Sequence, residues 1–183
     1  MSSSEVNIDE IKNKIILKEK YWVNIYSTNC YAFALGLDIP EKDMPFAYQP
    51  GSIYCHVNGV AYDDVRYNRY EKNLLLDLET LELEHEEADP NENTTINISY
   101  DENGNAIVEY SWLIALLKSE QRNDYHFLRK TPNGIWYHKQ GWTGCPDCHN
   151  DSGSKILRDP TIKHLFYHDE YVNTYRLKLT KKS

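Results

Sequence analysis

The chain contains no apolar run near the ~18 residues that a membrane-spanning helix needs, so no membrane role is expected. Its N-terminal stretch, MSSSEVNIDEIKNK, lacks the hydrophobic region of a signal peptide, and the expected site of synthesis is the cytoplasm. Positive charge is in the minority. Twenty Lys and Arg stand against 28 Asp and Glu, for a net charge of −8. A general surface for nucleic acid or anionic membranes is therefore disfavoured. Cysteine is scarce, with four in 183 residues. Without an export signal these read as reduced thiols or metal ligands before disulfides. There is no internal repeat and no low-complexity tract.

What is present is ordinary soluble-domain material, 40% hydrophobic and 26% charged, with an excess of 15 tyrosines and four tryptophans. Such aromatics suit β-strands and also line grooves for peptides or sugars. The length favours a single domain over residues 1–183, the polar first six being loose. Helical spacing of isoleucines marks residues 7–20. In YSTNCYAFALG, Ser27, Thr28 and Asn29 are capping types, CYAFAL is a short helical run and Gly36 a C-terminal stop. Cys30 then falls in the first turn of a helix. PFAYQPGSIYCHVNG reads as loop. Residues 65–85 read mostly as helix, with Val65, Leu74, Leu75, Leu78 and Leu81 facing the core; Leu81 to Glu87 also alternates like a strand. A hairpin around Asn103-Gly104, an apolar strand SWLIALLKS, a second hairpin through residues 124–139, a loop-rich stretch over 143–163 and a C-terminal strand follow. Helices first and strands later predict an α+β domain, with N-terminal helices packed on a mostly antiparallel sheet.

The second hairpin, DYHFLRKTPNGIWYHK, carries His126 and His138 on either side of the turn TPNG. Proline suits position i+1 of a type I turn, asparagine i+2, and glycine the left-handed residue that follows. A three-residue loop Pro132-Asn133-Gly134 places Leu128 opposite His138. His126 then shares that face, diagonal to His138 at ~7–8 Å along the backbone. A two-residue Asn133-Gly134 turn would put the rings on opposite faces. Two histidines in a tyrosine-rich ribbon also arise without any joint role. Cys30 favours a joint one, because a thiol at a helix start is biased towards thiolate and a nearby imidazole completes a nucleophile. A small core cysteine is the alternative.

This order of elements, with NCYAFALG on a capped helix and DYHF and WYHK on consecutive later strands, resembles the papain-like cysteine hydrolases. It is nearest to the compact NlpC-type bacterial peptidases. The resemblance covers roughly residues 27–140 as an order of elements and two short motifs at residue level. It implies a papain-like fold, Cys30 as nucleophile, His126 as general base and acid, and His138 as the residue orienting His126. Asp124 is a second choice for that orienting role. The N–H of Cys30, with Tyr26 or Asn29, would serve the oxyanion. The implied reaction is amide cleavage in a peptide or protein substrate, including peptidoglycan peptide, with no cofactor required for catalysis.

The other three cysteines pair with histidines. GCPDCHN joins Cys145 and Cys148 to His149, and YCHVNG joins Cys55 to His56. Cys55, Cys145 and Cys148 with His149, or His56 in its place, make up a Cys₃His structural zinc set that would staple two loops. A Cys145–Cys148 disulfide or unliganded thiols are the alternatives. Besides the peptidase or amidase, two further functions stay open: a protein deamidase or effector on the same scaffold, and a non-enzymatic zinc-stapled binding domain. LETLELEHEE reads as an acidic, solvated helix face, and LKLTKKS as a basic solubilising tail.

Overall fold

A computed structural model of the chain describes residues 8–13, 29–37, 49–62, 69–119, 121–139, 146–149, 153, 156–161 and 170–182. Among the described residues four helices come first: α1 (Ile8–Asn13), α2 (Cys30–Leu35), α3 (Ser52–Asn58) and α4 (Tyr70–Thr80). Seven strands follow: β1 (Glu84–Glu87), β2 (Thr95–Tyr100), β3 (Ala106–Ser119), β4 (Asp124–Lys130), β5 (Trp136–Lys139), β6 (Pro146–Asp147) and β7 (Glu170–Lys182). The protein is α+β. The chain divides into two compact units, one of residues 1–82 with 139–146, the other of residues 83–138 with 147–183.

In the first unit the short helices are held by polar groups from distant positions in the sequence. The stretch PGSIYCHVNG, expected as loop, forms α3. Its N-cap Gly51 has no side chain to offer, so local sequence gives no start signal. The start signal comes from α4 instead. The buried carboxylate of Asp77 accepts hydrogen bonds from the Gly51 N–H and Tyr54 N–H, both at 2.8 Å. It also accepts from the Tyr31 hydroxyl of α2 at 2.6 Å. Asp77 thus caps α3 in trans, at the positive end of the helix. Burial, the larger effect, lifts its pKa to about 6, against the pull of hydrogen bonds from Tyr31, Tyr54, Gly51 and Ile53. In the same unit Tyr31, Ile53, Leu74, Leu78 and Leu81 are all fully buried. Leu75 is half-buried, and Val65 lies outside the described residues.

The second unit is built on one sheet of strand order β1-β7-β3-β4-β5-β6, with β2 also paired to β3. The resolved β1–β7, β2–β3, β3–β4, β3–β7 and β4–β5 pairings are antiparallel. β3 is the spine, and its apolar run is continuous because both faces are covered from Trp112 to Leu117. Leu113, Ala115 and Leu117 share one face with Leu128, Trp136 and Leu157 as a compact core. The hairpin at Asn103-Gly104 forms as expected, Tyr100 opposing Ala106 and Gly104 taking a positive φ of 77°. In the acidic run 78–87 the helix reading holds to Thr80 and the strand alternative holds from Glu84. Glu84–Glu87 is a strand, with Glu86 within ion-pair distance of Arg176 and Lys178 on β7. The register of β3 against β7 shifts between Leu116 and Leu117, so β7 bulges beside the residue that opposes His126.

Candidate active site

The turn chemistry of TPNG sets the geometry of the site. The Thr131 N–H donates to the Ile135 carbonyl and the Gly134 N–H to the Thr131 carbonyl, both at 2.9 Å. Gly134 takes φ 80°, the left-handed conformation that glycine adopts without strain. The loop is therefore Pro132-Asn133-Gly134. Lys130 opposes Trp136 and Leu128 opposes His138. That odd-length loop puts His126 and His138 on one face.

The two rings meet. His126 Nε2 lies 3.0 Å from His138 Nδ1, with the ring planes nearly perpendicular at 80°. His138 Nε2 in turn lies 3.0 Å from the backbone carbonyl of His149. A carbonyl oxygen only accepts, so His138 carries its proton on Nε2. In the neutral ring Nδ1 is then an acceptor, and His126 must donate through Nε2. The unprotonated, basic nitrogen of neutral His126 is consequently Nδ1. Both rings are buried, at 5% and 2% exposure. A proton gained by His126 would place a positive charge on a ring whose other nitrogen is already held by an acceptor. Asp124, the second choice for orienting His126, is exposed and its Oδ1 accepts from the Tyr125 N–H at 2.8 Å; His138 holds the Nε2 side of His126.

The third member of this chain, the His149 carbonyl, left no mark in the sequence because any residue supplies one. It is fixed by backbone pairing. His149 bridges Ile156, the Leu157 N–H donates to the Cys148 carbonyl at 2.7 Å, and the Trp136 N–H donates to the Leu157 carbonyl at 2.9 Å.

Cys30 is the first residue of α2, as expected. The Asn29 side-chain oxygen accepts from the Ala32 N–H at 2.9 Å, and Gly36 ends the helix with φ 77°. Asn29 is thus committed through Oδ1 to capping the helix. The first N–H groups of a helix have no intrahelical acceptor, which makes this end electropositive. Cys30 is a reduced thiol, 7% exposed. Tyr26, Ser27 and Thr28 lie outside the described residues.

Of the expected zinc set, Cys145 lies outside the described residues. Cys55 stands on helix α3, not on a loop, and is buried with its Sγ 3.9 Å from the Ala61 carbonyl. His56 is half-buried on the same helix. Cys148 and His149 do come together, Sγ to Nδ1 at 3.7 Å. Asp147, which composition had not singled out, joins them with Oδ1 at 2.7 Å from His149 Nδ1. The Tyr137 hydroxyl hydrogen-bonds Cys148; burial first, and the neighbouring sulfur second, push the phenol's pKa up.

Comparison of the chain with models of known protein families, with curated proteins and with solved structures finds no match.

Proposed function

We propose that the protein is a thiol-dependent amide hydrolase of papain-like type, a peptidase or amidase with Cys30 as nucleophile, His126 as base and acid, and His138 as the orienting residue. The observation that carries this reading is the hydrogen-bonded series His126–His138–His149 carbonyl. It fixes a buried imidazole in one tautomer and leaves Nδ1 as its basic nitrogen. That is what a general base needs: a defined lone pair and a partner that stabilises the charge after proton uptake. Cys30 contributes a thiol at a helix start, where the thiolate is favoured.

In the proposed cycle His126 Nδ1 takes the Cys30 proton and the thiolate attacks the amide carbonyl carbon. The N–H of Cys30 binds the oxyanion, an effect worth ~2.7–4 kcal/mol per donor in other enzymes. His126 then protonates the leaving amine. Water, deprotonated by the same nitrogen, cleaves the thioester and restores the thiol. Substrate would be a peptide or protein, and no cofactor takes part.

Iodoacetamide at neutral pH tests the proposal. Cys30 should be alkylated ahead of Cys55 and Cys148 by peptide mass spectrometry, and that preference should vanish in His126→Ala. Slow labelling of all accessible thiols at similar rates would contradict it.

A further inference from the structure

We propose that Asp147, Cys148 and His149 bind a zinc ion that clamps the carbonyl orienting His138. Three different donor types, a carboxylate oxygen, a thiol sulfur and an imidazole nitrogen, lie within 4.8 Å of one another. Both Cys148 Sγ, at 3.7 Å, and Asp147 Oδ1, at 2.7 Å, face the same nitrogen, Nδ1 of His149. A proton relay would use the two opposite nitrogens of the ring. Donors converging on one nitrogen instead define a common point. Zn–S and Zn–N bonds of about 2.3 and 2.0 Å put sulfur and nitrogen about 3.5 Å apart across a tetrahedral ion, close to the 3.7 Å observed, while the Asp147 oxygen, now at hydrogen-bond distance from the nitrogen, would swing out by about 0.6 Å to make room for the ion. The ion would replace the proton that His149 Nδ1 shares with Asp147.

Local structure assembles the set. Asp147 Oδ1 also accepts from the His149 N–H at 3.1 Å, which turns residues 147 and 149 to the same side. The Tyr137 hydroxyl bonds the sulfur from the adjacent strand, a donor suited to supporting a thiolate ligand. The His149 and Asp147 side chains are 41% and 53% exposed, so an ion reaches them from solvent. Cys55, buried on α3, is not one of the three ligands. His149 then has two roles: its side chain holds the ion, and its carbonyl holds His138 Nε2. An ion would restrain the stretch whose carbonyl holds His138 Nε2. This clamp rests on reading His138 as the orienting residue; the ion site itself does not.

Metal-stripped protein titrated with Co²⁺ tests the site without reference to activity. A thiolate-to-cobalt charge-transfer band should saturate at one ion per chain and collapse on adding Zn²⁺. It should disappear in Cys148→Ser and persist in Cys55→Ser. Affinity should fall at least about tenfold in His149→Ala and Asp147→Asn, with circular dichroism confirming that each variant is folded. No saturating band in the wild-type protein, or a band that survives Cys148→Ser, would overturn the site. The clamp is read separately, from solvent exchange of the His138 Nε2 proton by NMR. Zinc should slow that exchange, and an unchanged rate would overturn the clamp.

Discussion

At the scale of single residues, the account depends on which ring nitrogen carries which proton. The His149 carbonyl forces the Nε2–H form of His138, and that in turn forces the Nε2–H form of neutral His126. Imidazole ¹⁵N spectra should show Nδ1 of His126 as the unprotonated nitrogen; a protonated Nδ1 in the neutral ring would break the series. Replacing His138 by Ala leaves the buried His126 Nε2–H and the His149 carbonyl without their partner. Each orphaned group costs about 1–3 kcal/mol, so His138→Ala should lower the urea midpoint as well as slow Cys30 alkylation. His126→Ala should lower amide cleavage by about 10²–10⁴-fold, the usual worth of a positioned base. The facing of His126 and His138 was legible in the sequence because the period of a strand and the length of one loop decide it. The His149 carbonyl and Asp147 were not, since a backbone group has no sequence signature and a single aspartate is too common to stand out.

At the scale of elements, the three-residue loop is the decisive feature. Deleting Pro132 would leave a two-residue turn and slip the register by one, which sends every side chain of β5 to the opposite face. The deletion variant should lose the slowly exchanging His138 Nε2 proton, and its retention would show that the loop does not set the pairing. Helix α2 was readable because its cap and stop, Asn29 and Gly36, are adjacent in the chain. Helix α3 was not, because its cap is Asp77, 26 positions beyond Gly51. That carboxyl titrates at about 6 in the folded protein against an ordinary 3.8. The folded state therefore holds the proton more tightly than the unfolded chain. This contribution to stability is fully present below about pH 4 and is lost as pH rises through 6. From about pH 3 to about pH 7 the wild type should lose roughly 3 kcal/mol relative to Asp77→Asn, measured by urea unfolding at each pH. Parallel curves for the two proteins would contradict the assignment.

At the scale of the whole molecule, the sequence conveyed the α+β class and the succession of helices before strands, because hydrophobic period and turn residues repeat that message in most elements. It left the acidic run 81–87 open between helix and strand, and pairing of Glu84 to Lys178 and of Glu86 to Arg176 decides Glu84–Glu87 for strand. Among the described residues no helix is long and apolar enough to cross a membrane. The net charge of −8 predicts no retention of the protein on duplex DNA at physiological salt; retention would point to a local basic face that outweighs the total. The central claim joins residues far apart in the chain, a thiol at the start of α2 and an imidazole on β4. It is tested most directly by titrating the Cys30 thiolate, as the difference in ultraviolet absorbance between wild type and Cys30→Ser across pH. The account predicts half-ionisation well below the ~8.5 of an ordinary thiol, returning to that range in His126→Ala. A wild-type thiol that ionises at or above ~8.5, or a titration that His126→Ala leaves unmoved, would contradict it.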